Sequence, residues 1–300
     1  MQIVFCGSGW LEIVDYIRAR LPAGASVRTR DPSRPLVAEI EEADVILPSN
    51  CLIDAAAIAA PRRLVLIQQP AAGYEGIDLD AARARGVPVC NAPGMNAQAV
   101  AETVMFLLLA LARKLPLARA AFEESRIGAP IGIELAGRRL GLVGEGRTGA
   151  RVRKIAEATG MEVRSVRSRS GRHELHALLG WADAVSLHCP LTPATRGLLG
   201  AAEFAAMKPG AFVVNCARGA IVDRAALEGA LAAGRLGGVG LDCFWREPWD
   251  PKDPLYARPE VVTLPHIGGS TEEAFAGIAD IVADNIRRVL AGEPVRHRIA

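Results

Sequence analysis

LGLVGEGRTG, residues 140–149, decides how the chain is to be read. An apolar run ends in glycine, and two more glycines follow at 146 and 149 before the helical pattern ARVRKIAEATG takes over. Each glycine answers a separate need. Gly144 allows a tight strand-to-helix turn, Gly146 leaves room for a pyrophosphate against the backbone, and Gly149 lets helix and strand pack closely. The helix N-terminus adds N–H donors and a field that favours phosphate. The stretch predicts a dinucleotide cradle. Two of its residues are unusual. Glu145 brings a carboxylate that would repel phosphate unless it points away, and Thr148 stands where an apolar side chain would pack better.

Beyond the cradle, MEVRSV, ADAVSLH, AFVVNC, GGVGLD and VVTLPH alternate with helical segments, which predicts a complete doubly wound sheet. Before it, IVF, VIL, LVLI and PVC are short strand-like runs separated by helical patterns around residues 12–19, 54–59 and 80–85. They predict a smaller α/β unit with a parallel sheet. NAPGMNAQAV, residues 91–100, breaks the last of these strands and offers Asn96 as a cap for a long helix. A final helix near residues 271–291 is too little for a domain and is expected to pack back on the N-terminal unit. The expected layout is discontinuous, with residues 1–94 and 270–300 in one domain, residues 95–269 in the other, and a cleft between them.

Composition narrows the classes of function. The 300 residues are 50% hydrophobic and carry a net charge of +2, which gives no reason to expect nucleic acid or an anionic membrane as partner. Six scattered cysteines without a CxxC pair argue against a disulfide framework or a thiolate zinc site and fit a reducing cytoplasm. The start, MQIVFCGSGW, reads as a strand and not as a signal peptide. VMFLLLALA, residues 104–112, is too short to span a bilayer and reads as a buried or subunit-facing helix.

Three strings, NCARGAIVD (residues 215–223), GLDCFWREP (240–248) and LPHIGGS (264–270), fall at or just past predicted strand ends. Ligands of open α/β sheets bind along that edge. Arg218, Asp242, Glu247 and His266 are therefore expected to converge, where the plainer reading makes each a surface charge or a helix cap. Their chemistry suits hydride transfer to a carbonyl. His266 supplies the proton, Glu247 orients and charges the imidazole, and Arg218 grips a carboxylate and the developing oxyanion. His188 is expected to shape the cofactor slot, whereas His173, His176 and His297 read as surface residues and no metal is expected. Cys216 and Cys243 read as packing residues, since no neighbouring base marks a nucleophile.

VRSRS, residues 166–170, carries Arg167 where such a unit usually places an acid, 18 residues beyond Gly149. An acid there binds the ribose 2′-hydroxyl and repels a 2′-phosphate; arginine reverses that preference. Arg167, Ser168 and Arg169 are expected to hold a 2′-phosphate, with Arg172 adding positive field, so NADP(H) is the preferred cofactor and NAD(H) the alternative. A solvated basic loop that tolerates either cofactor is the plainer reading.

Taken together, AGYEGIDLDAARARGVPVCNAPGMNAQAVAE, GLVGEGRTG, VSLHCPLTPATRGLL, MKPGAFVVNCARGAIVD, GLDCFWREP and PHIGG resemble the D-isomer-specific 2-hydroxyacid dehydrogenase family. The resemblance implies two Rossmann-like doubly wound parallel-sheet domains, a flavodoxin-like substrate domain and an inserted dinucleotide-binding domain. It implies that His266 and Glu247 are the catalytic pair, that Arg218 binds substrate, and that Asp242 holds the nicotinamide carboxamide. Ala72 and Gly73 would offer backbone N–H groups to the substrate carboxylate. Further cofactor contacts are implied at Arg147, Thr148, Cys189, Pro190, Thr195, Cys216, Ala217 and Gly268. A homodimer through the dinucleotide-binding domains is implied as well. The substrate expected is a small 2-oxo or 2-hydroxy acid, with NADP(H)-linked reduction of glyoxylate or hydroxypyruvate as the leading reading. NAD-dependent 2-hydroxyacid, phosphoglycerate, formate or phosphite dehydrogenase is the alternative. A dinucleotide-sensing protein without turnover is the rival of another class, and the intact Arg218, Glu247 and His266 argue against it. Trp10, Asn50, Cys51, Leu52 and Trp245 are candidates to line or restrict the substrate side.

Overall fold

A computed structural model describes all residues, 1–300, and they separate into two compact units, Met1–Asn96 with Ser270–Ala300, and Ala97–Gly269. The first unit begins with β1 (Gln2–Phe5), α1 (Ile13–Arg18), β2 (Ser26–Thr29), α2 (Leu36–Ile40), β3 (Val45–Leu47), α3 (Ala55–Ala59), β4 (Leu66–Gln68), α4 (Leu79–Arg85) and β5 (Val89–Cys90). Its strands are all parallel, in the order β2-β1-β3-β4-β5. A parallel sheet covered on both faces buries its strands whole, so VIL is apolar throughout, and LIQ admits Gln68 only with its side chain bonded to Asn285 and the Gln69 carbonyl. Asp54 and Asp78 start α3 and α4 by accepting the backbone N–H of Ala57 and Ala81. Sequence pattern does not reveal β2. SVRT is an edge strand with one buried residue, Val27, and so lacks the apolar run that marks an interior strand.

The second unit holds α5 (Ala97–Ala112), α6 (Leu115–Glu123), β6 (Arg139–Val143), α7 (Arg147–Ala158), β7 (Glu162–Val166), α8 (Arg172–Trp181), β8 (Ala184–Leu187), α9 (Ala201–Ala206), β9 (Ala211–Asn215), α10 (Arg224–Ala232), β10 (Leu236–Leu241) and β11 (Val261–Thr263). Six parallel strands lie in the order β11-β10-β9-β8-β6-β7. The strand order turns back at β6, which has β7 on one side and β8 on the other, so the cradle after β6 opens at a topological switch point. α5 covers one face of this sheet with Val104, Leu107, Leu108 and Leu111. The last helix, α11 (Glu272–Ala291), shares the first unit's core: its Ile278, Val282 and Ile286 pack with Ile3, Phe5 and Ile13. The chain thus forms the two-domain, Rossmann-like α/β architecture expected of it.

Arg172, just after the Arg167–Arg169 turn, is paired with a carboxylate. Its guanidinium lies 2.7 Å from the carboxylate of Glu203, which is 2% exposed. His176, expected as a plain surface residue, meets the same carboxylate at 2.9 Å, and Gly200 donates its N–H to the other oxygen at 3.1 Å. Burial alone would raise the Glu203 carboxyl, but these donors outweigh it and hold the group down to about 2, from an ordinary 4.5. The folded-state value is depressed, so the stabilisation, on the order of 3 kcal/mol, is present above pH 4.5 and lost as pH falls toward 2. Melting temperature followed by circular dichroism is expected to fall through that window. Glu203→Gln should lower it by several degrees at neutral pH and flatten the acid dependence; an unchanged neutral melting point would show that the clasp between α8 and α9 contributes nothing.

Candidate active site

The cradle glycines differ in what surrounds them. Gly144 has φ +96°, and a Cβ there would fall 2.8 Å from the carbonyl carbon of His188 and 2.9 Å from the N of Cys189. A Cβ on Gly149 would fall 2.6 Å from the Gly144 oxygen. Both positions are closed to any side chain. Above Gly146 nothing lies within 4 Å of where a Cβ would stand, so the backbone at the start of α7 faces open space. That is the arrangement a phosphate needs beside a helix N-terminus. Arg147 is exposed on the first turn of α7 and Thr148 is half-buried beside it.

At the end of β7, Arg167, Ser168 and Arg169 form an exposed turn. Ser170 closes it: its N–H donates to the Arg167 carbonyl at 2.8 Å and its hydroxyl accepts the Arg167 N–H at 3.3 Å. Glu145 does not point away from this corner. Its side chain is 11% exposed and its carboxylate is ion-paired with Arg153. It also accepts the Ser165 hydroxyl at 2.6 Å and the Arg167 guanidinium at 3.0 Å. Arg153, together with Ser165 and Arg167, outweighs burial and holds the Glu145 carboxyl down to about 2. Arg167 is therefore tied to a carboxylate inside the cradle, and is not the unengaged fork that the sequence suggests.

The end of β8 braces the cradle. His188 presses its carbonyl against Gly144, and its Nε2 is hydrogen-bonded to the Ser186 hydroxyl at 2.9 Å. Burial holds its imidazole down to about 4, so the ring is neutral at neutral pH. Cys189 and Pro190 follow, and Thr195 donates its hydroxyl to the Pro190 carbonyl at 2.6 Å, locking the turn after the strand.

The remaining candidates lie past β9, β10 and β11. Asn215, fully buried at the end of β9, donates its amide to the Arg218 carbonyl at 2.9 Å and accepts the Ala217 N–H at 3.0 Å. It shapes the turn that presents Arg218 and is absent from the candidates that the sequence suggests; a lone polar residue closing a fully apolar strand was the available signal. Cys216 and Cys243 have thiols pushed well up by burial, which suits packing and not nucleophilic chemistry. Asp242 is 2% exposed and accepts the N–H groups of Ile267 at 2.8 Å and Gly268 at 2.7 Å. Burial pushes its carboxyl up, and those two donors only partly pull it back. This grip fixes the turn of His266, whose φ of +56° is left-handed backbone that a histidine seldom adopts. A Cβ on Gly268 would fall 2.5 Å from Asp242 Oδ2, so the turn needs glycine there.

His266 Nδ1 lies 2.7 Å from Glu247 Oε2, while Glu247 Oε1 accepts the Phe244 N–H at 3.0 Å. Burial tends to raise the Glu247 carboxyl, but His266, the Phe244 N–H and the field of Arg218 hold it below the usual range. The structure thus brings Glu247 and His266 into contact, with Arg218 near enough for its charge to act on Glu247. Trp245 donates its indole N–H to the Val222 carbonyl at 2.7 Å, and its partly buried ring packs on the second unit's core.

In the first unit, Asn91 donates to the Ala72 carbonyl at 2.8 Å, and Gln69 donates to the carbonyls of Gly73 at 2.8 Å and Ser49 at 3.1 Å. Asn50 accepts the Ser8 N–H at 3.0 Å, joining the loops after β1 and β3 at that sheet's own switch point. Leu52 is 66% exposed. No group of three or more His, Cys, Asp or Glu is clustered as a metal site, and no helix is long and apolar enough to cross a membrane.

A parallel sheet with a glycine cradle at its switch point and a carboxylate–imidazole pair past its strand ends defines a dinucleotide-dependent oxidoreductase class. Residues 105–268 match the family model described as D-isomer specific 2-hydroxyacid dehydrogenase, NAD binding domain. The chain is 36% identical to D-3-phosphoglycerate dehydrogenase of Archaeoglobus fulgidus over 96% of its own length and 57% of the relative's. It is 35% identical to glyoxylate reductase of Thermococcus litoralis over 88% of its length and 87% of the relative's. Among solved structures, the TT0316 protein from Thermus thermophilus superposes with a TM-score of 0.89 at 35% identity, covering 100% of both chains. The chain belongs to the D-isomer-specific 2-hydroxyacid dehydrogenase family, a family of NAD(P)-dependent enzymes. It spans about half the length of the phosphoglycerate dehydrogenases it matches.

Proposed function

We propose that the chain transfers hydride between a dinucleotide and a small 2-hydroxy or 2-oxo acid. The observation that carries this reading is the 2.7 Å contact between His266 Nδ1 and Glu247 Oε2, with Arg218 acting on the same carboxylate. The residues fit a dinucleotide, since the space above Gly146 is open while Gly144 and Gly149 close the turn beneath it. Gly144, Gly146, Arg147, Thr148 and Gly149 would hold the pyrophosphate, and Arg167, Ser168 and Arg169 the adenosine end. His188, Cys189, Pro190, Thr195, Cys216, Ala217, Asp242, His266 and Gly268 would serve the rest of the cofactor. The nicotinamide, when bound, supplies the hydride donor or acceptor.

The chain's own residues do the remainder. Arg218 grips the substrate carboxylate with its fork and stabilises the carbonyl oxygen as charge builds. Glu247 occupies Nδ1 of His266, which assigns proton exchange with the substrate oxygen to Nε2. Asp242 holds the His266 turn in its left-handed form, so the ring is positioned before substrate arrives. For Ala72 and Gly73 we propose backbone contacts to the substrate carboxylate, supported by the side-chain amides that already claim both carbonyls of that turn.

The phosphoglycerate dehydrogenase relatives favour an enzyme of that type, and the NAD binding domain of the matching family model favours NAD(H). A second reading is NADP(H)-linked reduction of glyoxylate or hydroxypyruvate: the Arg167–Ser168–Arg169 turn favours the phosphorylated cofactor, and the glyoxylate reductase relative favours a substrate of that kind. Initial rates with D-3-phosphoglycerate, D-glycerate, glyoxylate, hydroxypyruvate, pyruvate, formate and phosphite, each with both cofactors, decide between them. Dinucleotide binding with no turnover on the panel would sink hydride transfer and leave a sensing protein.

A homodimer through the second unit is part of the proposal. Phe106 and Leu109 on α5 and Phe122 on α6 are 48%, 46% and 80% exposed, and Ile127 and Ile131 beyond α6 are 102% and 84% exposed. Apolar side chains of that size rarely face water together without a partner. Phe122→Glu with Ile127→Glu is expected to halve the mass seen by light scattering; a wild-type chain already monomeric at micromolar concentration defeats the assignment.

A further inference from the structure

We propose that Glu145 sets the choice between the phosphorylated and unphosphorylated dinucleotide, by holding a carboxylate on the cradle side of the corner where Arg167 stands. The inference rests on the dinucleotide reading above. Val143 pairs with Val166 across β6 and β7, so residues 145 and 167 each lie just beyond that register and leave neighbouring strands together. Glu145 sits between two cradle glycines, where a carboxylate without partners would oppose a bound phosphate. The chain instead surrounds the carboxylate with charge and hydrogen-bond donors. Arg153 comes from the second turn of α7, Ser165 from β7, and Arg167 from just past it. Ser165 points its hydroxyl at the same oxygen that Arg167 contacts, so the carboxylate is fixed and faces the end of β7.

Two consequences follow from charge alone. A 2′-phosphate held by Arg167 has to share that guanidinium with Glu145, and its own negative charge is set near a second one. A ribose 2′-hydroxyl meets no such penalty and finds a carboxylate able to accept from it. The acid missing from the end of β7 is thus supplied from the end of β6, while Arg167 remains available to a phosphate. The corner serves both cofactors and is biased by one carboxylate.

The test is the ratio of dissociation constants for NADPH and NADH, measured by calorimetry on the intact chain without substrate. Glu145→Gln is expected to shift the ratio toward NADPH by about tenfold, because it removes the competing charge and keeps the size. Glu145→Asp, which keeps the charge, should stay within about twofold of wild type. If Glu145→Gln fails to fold, Glu145→Ser, with space for water beside Arg153, reads the same ratio. A ratio unmoved by loss of the carboxylate, or moved toward NADH, overturns the assignment while both cofactors still bind. Failure of the wild-type chain to bind either cofactor removes the dinucleotide reading and this inference with it.

Discussion

His266→Gln is expected to lower kcat by about 10²–10⁴-fold while the dissociation constant for the dinucleotide stays within about twofold. Glutamine keeps much of the volume and a polar end but carries no proton it can exchange near neutral pH. The substrate oxygen would then have to take its proton from water. The surrounding structure should survive the change. The turn is held from outside the side chain, by Asp242 accepting the N–H groups of Ile267 and Gly268 and by the His266 N–H donating to the Leu264 carbonyl at 2.9 Å. Single-turnover kinetics would read the loss, and a fluorescence titration would confirm that cofactor binding is intact. Turnover within tenfold of wild type would move the proton donor to another residue. Glu247→Gln should cost less, since His266 remains and loses only the carboxylate that orients it. A Glu247 variant as inactive as the histidine variant would mean that the carboxylate has a direct part in the chemistry.

The framework is legible in the sequence because its signals are local. The strands of the second unit other than β7 show as apolar runs, β7 is placed by its position after the cradle helix, and the cradle announces itself by glycines of which backbone clashes require two, Gly144 and Gly149. β2 is invisible there because an edge strand with a single buried residue has no periodicity to detect. The residues around the candidate site are legible as types and less so as contacts. Glu145 and Arg167 are 22 positions apart, and their pairing depends on the register of β6 against β7, which no short-range pattern encodes. The same holds for Arg172, drawn by the buried Glu203 31 positions on. The family resemblance makes Asp242 a cofactor ligand, and the structure shows that both its oxygens already hold the backbone of the histidine turn. Long-range polar pairing is what the sequence hides, and it decides how the charges at this site are shared.

Charge sharing also governs the second large effect, at Arg218. Arg218→Lys is expected to reduce kcat/KM for the 2-oxo acid by about 10²–10³-fold, because an ammonium cannot grip a carboxylate and a developing oxyanion through one planar fork. Arg218→Met should lose more, and it should also change the pH dependence. The Glu247 carboxyl is held below its usual range partly by the field of Arg218, against the opposing effect of burial. Removing that positive charge lets Glu247 protonate at higher pH, so the ionised form that His266 needs disappears sooner as pH falls. The acidic limb of kcat/KM should therefore move upward in the methionine variant and stay near its wild-type position in the lysine variant, which keeps the charge. Rate profiles for the three proteins, with cofactor saturating, separate geometry from charge: lysine isolates the loss of the fork, and methionine adds the loss of the field. An acidic limb unmoved in Arg218→Met would show that Glu247 is held down by His266 and the Phe244 N–H alone, and would confine Arg218 to gripping the substrate.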